Sequence, residues 1–272
     1  MDGIYLYCVR EKTEGGKPVC VIGVDGRRMA FGIPHRQLEA IVSHVSLEEF
    51  GAEEIQKRAK EDLDWIKEKA LAHQAVVGEA FRENDMTRSV IPASFGTIFG
   101  TTERLHEALR ENYSRMAETL ARLRGRQEWS VKVYVMDRKQ LEKAVREKAP
   151  AIRQKEAEMA SLPEGMAFFM EEELKETISR QTDRALADSV EALHQTLKAH
   201  ADDGVRTKIL EKELTGKRDP MVLNAAYLVH EQNVQAFKNE ADALNEAVRA
   251  QGLYLEYSGP WPAYAFSSLG VS

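Results

Sequence analysis

Cysteine is scarce in this sequence: its 272 residues include only two, Cys8 and Cys20. Both lie in strand-like runs, so distance along the chain leaves a single bridge open. Two thiols nevertheless build no disulfide framework of the kind that holds small secreted domains together. A reduced, cytoplasmic protein is expected. The first stretch, MDGIYLYCVR, lacks the basic segment and following apolar run of a secretory signal. No run approaches the roughly 18 apolar residues of a membrane helix, which argues against membrane insertion. Positive charge is also short, with 38 Lys and Arg against 44 Asp and Glu and a formal net charge of −6. Binding built on phosphate contacts needs the opposite balance, so a dedicated nucleic-acid binder is disfavoured.

The familiar catalytic motifs are missing too. A phosphate loop requires a glycine five residues before Gly216-Lys217, where Glu211 stands, and Arg218 replaces the hydroxyl residue that would meet magnesium. Neither G-x-G-x-x-G nor G-x-S-x-G occurs, and His230-Glu231 lacks the second histidine of a zinc-protease helix. Cys8 and Cys20 have no histidine cluster nearby, so no zinc site is expected. Of seven scattered histidines only His73 falls on an apolar helical stripe, where it is either a ligand or a hydrogen-bonded core residue. The acidic run Glu171 to Glu173 reads as a solvated helix start. No internal repeat and no low-complexity segment stands out.

What is present is a mixed pattern. Ile4 to Val9, Val19 to Val24, Met29 to Ile33 and Leu38 to Val45 are short runs rich in β-branched and aromatic residues, and Asp25-Gly26 suggests a type I′ hairpin. From Ala52 to Glu83 the apolar residues Ile55, Ala59, Leu63, Ile66, Ala70, His73, Val77 and Phe81 recur at helical spacing. Ser89 to Phe99 reads as a strand interrupted by Pro92. Thr101-Thr102 caps a second helix that Gly125 ends.

Alternation resumes at Glu128 to Val135, followed by a helix-rich stretch from Arg138 to about Ala201 with breaks near Pro150 and Pro163. Strands are expected at Val205 to Leu210, Met221 to Val229 and Leu253 to Tyr257, the first two joined by the turn-like TGKRDP, with a helix over Val234 to Val248 before Gly252. The order β, α, β, β, α, β is the split βαβ or ferredoxin-like order. The fold class is therefore α+β with two domains: an N-terminal β-meander with long helices over 1–126, and a modified ferredoxin-like domain over 127–272.

Two segments are poorly explained by core packing alone. PASFGTIFG, from Pro92 to Gly100, sets a phenylalanine beside a glycine twice. GPWPAYAF, from Gly259 to Phe266, holds aromatic rings between two prolines of fixed φ, at low entropic cost. The tail is either internal cover, a preorganised docking surface, or both.

At these segments the chain resembles the GvpF/GvpL family of gas vesicle accessory proteins. The matching pieces are IYLYCV, IPASFGTIF, EWSVKVYV, NAAYLVHEQNVQAF and YSGPWPAYAF, in order over nearly the whole chain. GPWP followed by an aromatic is the most specific of them. Ala263 stands where the family often has a second proline, and Ser94 where it often has a basic residue. DLDWIKEKALAH resembles the L type, whereas NAAYLV and WPAYAF resemble the F type, and both assignments stay open. The resemblance implies a non-enzymatic accessory protein, without a cofactor, that is cytoplasmic and gas vesicle-associated. It also implies contact with the small hydrophobic shell protein GvpA and with other accessory proteins during early assembly, as a chaperone or nucleator. Phe95, Phe99, Trp261 and Tyr264 are the candidate contact residues. Two alternatives remain: a small-molecule enzyme or haem-type binder using His73, and a permanent minor component of the vesicle.

Overall fold

The computed structural model describes residues 2–13, 18–83, 86–159, 163–212 and 216–269. They pack as two compact units, Met1–Glu128 with Pro260–Ser272, and Trp129–Gly259.

In the first unit, β1 (Asp2–Glu11) pairs antiparallel with β3 (Leu38–Ser46), which pairs with β2 (Phe31–His35). Helices α1 (Leu47–Phe50), α2 (Ala52–Glu61) and α3 (Leu63–Phe81) follow. A small hairpin of β4 (Arg82–Glu83) and β5 (Met86–Thr87) leads to β6 (Val90–Pro92) and β7 (Ile98–Phe99), both of which pair with β1. Helices α4 (Thr102–Glu111) and α5 (Tyr113–Leu123) complete it.

β1 is the central strand, and every residue from Gly3 to Arg10 is buried. That continuous burial requires cover on both faces. Ile4, Leu6 and Val9 pack with Leu105, Leu109, Met116 and Leu120 of α4 and α5. Tyr5, Tyr7 and Cys8 pack with Val76, Val77, Ala80 and Phe81 of α3. Strict alternation would send Tyr7 and Cys8 to opposite faces. A β-bulge prevents this: the register steps from Leu6↔Val42 to Cys8↔Ile41, and the extra residue turns both side chains toward α3. Each fully buried large side chain here contributes about 1.5–3 kcal/mol of transfer free energy.

Several local expectations need correction. Val19 to Val24 forms no strand; the only pairing there is the isolated bridge Ile22↔Met29. Side chains take over the backbone partners: the Tyr7 hydroxyl accepts from Val24 N–H, and the Asp25 carboxylate accepts from Arg27 and Arg28 N–H. The Asp25-Gly26 turn is not type I′, because only Gly26 has positive φ (73°), and its N–H donates to Gly23 C=O. The long helical stripe breaks at Asp62, whose carboxylate caps α3 at Trp65 N–H. Ser89 to Phe99 is two short strands rather than one, with Phe95-Gly96 in the intervening turn. Thr101 caps α4 as the sequence suggests.

The second unit contains most of β8 (Arg126–Val135), then α6 (Arg138–Lys148), α7 (Pro150–Met159) and α8 (Glu164–Ala199). Next come β9 (Asp203–Arg206), β10 (Met221–His230), α9 (Val234–Arg249) and β11 (Leu253–Trp261). The expected TGKRDP turn begins at Thr215, outside the described residues. The sheet order is β11-β8-β10-β9, with β9 and β10 antiparallel. Alternate strand residues, among them Val131, Val133, Leu223, Ala225, Tyr227 and Leu255, meet Val190, Leu193 and Leu197 of α8 and Phe237, Ala241 and Val248 of α9. Gly252 is irreplaceable by its geometry. Its φ is +79°, and a Cβ would lie 2.2 Å from the Asp137 carbonyl oxygen, while its own C=O accepts from Met136 and Asp137 N–H.

Candidate functional site

His73 sits buried on the α3 face of the first unit, with its Nδ1 in a hydrogen bond. Gly96 N–H donates to the Tyr5 hydroxyl at 3.0 Å, and that hydroxyl is hydrogen-bonded to His73 Nδ1, also at 3.0 Å. The Ala93 backbone also interacts with the ring, in the sense that favours its charged form. Burial pushes the imidazole down to about 4, which the Ala93 bond only partly opposes. His73 is thus a neutral core histidine that ties α3, β1 and the turn between β6 and β7 together. Phe95 packs against this network, its ring centroid 6.3 Å from Tyr5 and 6.1 Å from His73, both edge-on. This is the role of PASFG: it carries Phe95 and the Gly96 amide to the phenol at the centre of β1.

The aromatic tail packs within the same unit. Pro262, Ala263, Phe266 and Leu269 are buried. Arg122 donates to the Phe266 carbonyl and Arg115 to the Leu269 carbonyl; seven residues apart on α5, the two arginines project from nearly the same side of the helix. Ala265 N–H donates to Glu128 Oε2 at 2.8 Å. Glu128 is only 7% exposed, and burial pushes its carboxyl up to about 7 against the lowering effect of that bond. Trp261 and Tyr264 differ from their neighbours in remaining 45% and 41% exposed. They border a hollow of about 140 Å³ whose other walls include Ala75, Gly78 and Phe81 of α3, together with Pro260 and Pro262. The Tyr264 phenol lies within electrostatic reach of Cys8 and Glu128, and burial of its polar end pushes it up to about 12.

Of the four residues singled out from the sequence, three share the α3 side. Phe95 and Tyr264 both neighbour Tyr5, and Trp261 shares the hollow with Tyr264. Phe99 does not join them. It pairs with Ile4 and packs in the α4 and α5 cluster on the opposite face of the sheet, half-buried. Sequence reasoning missed Tyr5, Gly78 and Glu128. The run IYLYCV read as a strand without signalling the Tyr5 hydroxyl, and a lone glycine or glutamate carries no pattern at all.

The remaining candidates have structural placements. Glu171 to Glu173 lie inside α8 rather than at its start; Glu171 and Glu172 pair with Lys175 of the same helix, and Glu173 with Lys155 of α7. Cys8 is buried and Cys20 exposed, both as free thiols. Among the described residues no group of three or more His, Cys, Asp or Glu is placed to hold a metal ion. No described helix is long and apolar enough to cross a membrane.

Comparison with known proteins agrees with the residue-level resemblance. The chain is 28% identical over 267 residues to Gas vesicle protein L of a Streptomyces species, covering 97% of this chain and 92% of that one. It is 23% identical over 270 residues to Gas vesicle protein F1 of Halobacterium salinarum, covering 99% and 95%. The crystal structure of GvpF from Anabaena sp. PCC7120 superposes with a TM-score of 0.74 at 18% identity, over 98% of this chain and 99% of that one, which shows a shared fold. The family profile described as Gas vesicle synthesis protein GvpL/GvpF matches residues 3–268. The chain belongs to the GvpL/GvpF family of gas vesicle synthesis proteins, and its role is in gas vesicle formation.

Proposed function

We propose that the protein is a non-catalytic assembly factor of the gas vesicle, working in the cytoplasm and shielding the small hydrophobic shell protein GvpA until it joins the wall. It also meets other accessory proteins there. The observation that carries this reading is the pair Trp261 and Tyr264, exposed beside an apolar hollow on α3. Burial of their neighbours Pro262, Ala263 and Phe266 holds both rings in place, so little side-chain freedom is lost on docking. An unassembled shell subunit exposes apolar surface that such a patch would cover. Phe95 supports the patch from below through Tyr5, and Phe99, on the other face of the sheet, is read as a separate contact. The second unit is read as a modified ferredoxin-like domain, which the order β11-β8-β10-β9 supports. Against a haem-type or enzymatic role for His73 stand its burial and the bond that ties its Nδ1 to Tyr5.

Co-expression with GvpA tests the proposal. Wild type is expected to co-purify with the shell protein, and a Trp261→Ala, Tyr264→Ala variant with an unchanged circular dichroism spectrum is expected to lose it. Equal capture by both would remove the tail from the interface, and capture by neither would remove direct shell contact.

A further inference from the structure

Arginines of the first unit commonly hold carboxylates: Arg10 pairs with Glu39, Arg104 with Glu107 and Arg124 with Glu11. Arg36 and Arg110 have no carboxylate partner among the described residues, and both act on one histidine, His35. Arg36 stands at the tip of the β2–β3 hairpin, its guanidinium 4.8 Å from the Tyr113 ring centroid. Its φ of +56° makes it the one non-glycine residue in the left-handed region among those described. Beside it, the His35 ring lies 5.9 Å from the His106 ring and 6.1 Å from Tyr113. His106 and Arg110 are four residues apart on α4 and share a face. Burial holds the His35 imidazole below the ordinary value, with smaller contributions in the same direction from Arg36, His106 and Arg110. His35 Nε2 is enclosed without a hydrogen-bond partner. Glu103 lies within electrostatic reach of His106 and is itself bonded to its own backbone and to Thr101 at the start of α4.

We propose that His35, Arg36, His106 and Arg110 form a docking point for a short, carboxylate-rich segment of a partner protein. Two elements, the β2–β3 hairpin and α4, bring the Arg36 and Arg110 guanidinium groups to the same histidine with no carboxylate paired to either among the described residues, an arrangement that an incoming carboxylate relieves. Guanidinium groups accept carboxylates in a bidentate fork, and stacking on Tyr113 orients Arg36 for this. A long polyanion such as nucleic acid would face the repulsion of a chain carrying a net charge of −6. A short acidic segment feels mainly the local charges within a screening length of about 10 Å. The site is separate from the aromatic tail, so it stands whether or not the tail binds GvpA.

The test is an NMR titration of the full chain, labelled at histidine, with a capped oligoglutamate peptide. Oligoglutamine and inorganic phosphate serve as comparison probes. Saturable shifts of His35 and His106 with oligoglutamate, weakened by salt, are expected. Arg36→Gly and Arg110→Gln should each weaken binding about tenfold, equivalent to the loss of one charge-assisted contact. Arg36→Gly suits the backbone conformation at that position, so loss of binding with an intact fold identifies the guanidinium as the cause. Absence of shifts in the wild type, equal shifts in both variants, or phosphate acting as strongly as the peptide would each overturn the proposal.

Discussion

Glu128 gives the clearest quantitative test of how the tail is held. Its carboxyl is buried at the start of β8 and accepts one hydrogen bond, from Ala265 N–H. Burial raises it from 4.5 to about 7. A carboxyl whose folded value is raised is destabilising when ionised. Between about pH 4.5 and pH 7 the folded chain holds a proton that the unfolded chain has released, so this group's contribution to stability falls as pH rises. Linkage over that shift costs the wild type about 1 kcal/mol near pH 5 and about 3 kcal/mol near pH 8. Glu128→Gln keeps a carbonyl oxygen for Ala265 N–H and removes the ionisation. The variant is therefore expected to exceed wild type by about 3 kcal/mol near pH 8, shrinking to about 1 kcal/mol near pH 5. Urea unfolding followed by circular dichroism at both pH values measures the difference. The wild-type profile alone does not, because His73 titrates oppositely over an overlapping range. A glutamine variant that is no more stable near pH 8, or whose advantage is the same at both pH values, would refute the reasoning.

Two further substitutions probe the supporting geometry. His73→Ala removes the Tyr5 partner and opens a cavity, and is expected to cost about 2–4 kcal/mol near neutral pH in urea unfolding. That cost should shrink as pH falls from 6.5 toward about 4, since the wild type loses stability when its depressed histidine must take up a proton. Gly252→Ala forces a Cβ against the Asp137 carbonyl at a left-handed φ and is expected to cost about 2 kcal/mol or more, read as a lower urea midpoint of the second unit.

The sequence by itself determined the elements with strong periodicity. The stripe Val234, Phe237, Ala241, Leu244 and Val248 is α9, and the alternation from Trp129 to Val135 is β8, because helical and pleated backbones repeat their faces at fixed intervals. The cap at Thr101 is likewise local chemistry, one side chain meeting an amide three residues away. The family followed from short motifs in order. Tertiary structure decided what depends on distant partners. Val19 to Val24 has strand composition, yet its neighbouring amides turn to the Tyr7 hydroxyl and Asp25 instead of a ladder. The bulge at Tyr7, which turns Cys8 toward α3, exists only against β3. Phe95 and Phe99, four residues apart, part company because the turn and β7 deliver them to opposite faces of β1. The tail packs with the first unit because Arg115, Arg122 and Glu128 satisfy its backbone there, and no local pattern in the sequence records a hydrogen bond made across 137 residues.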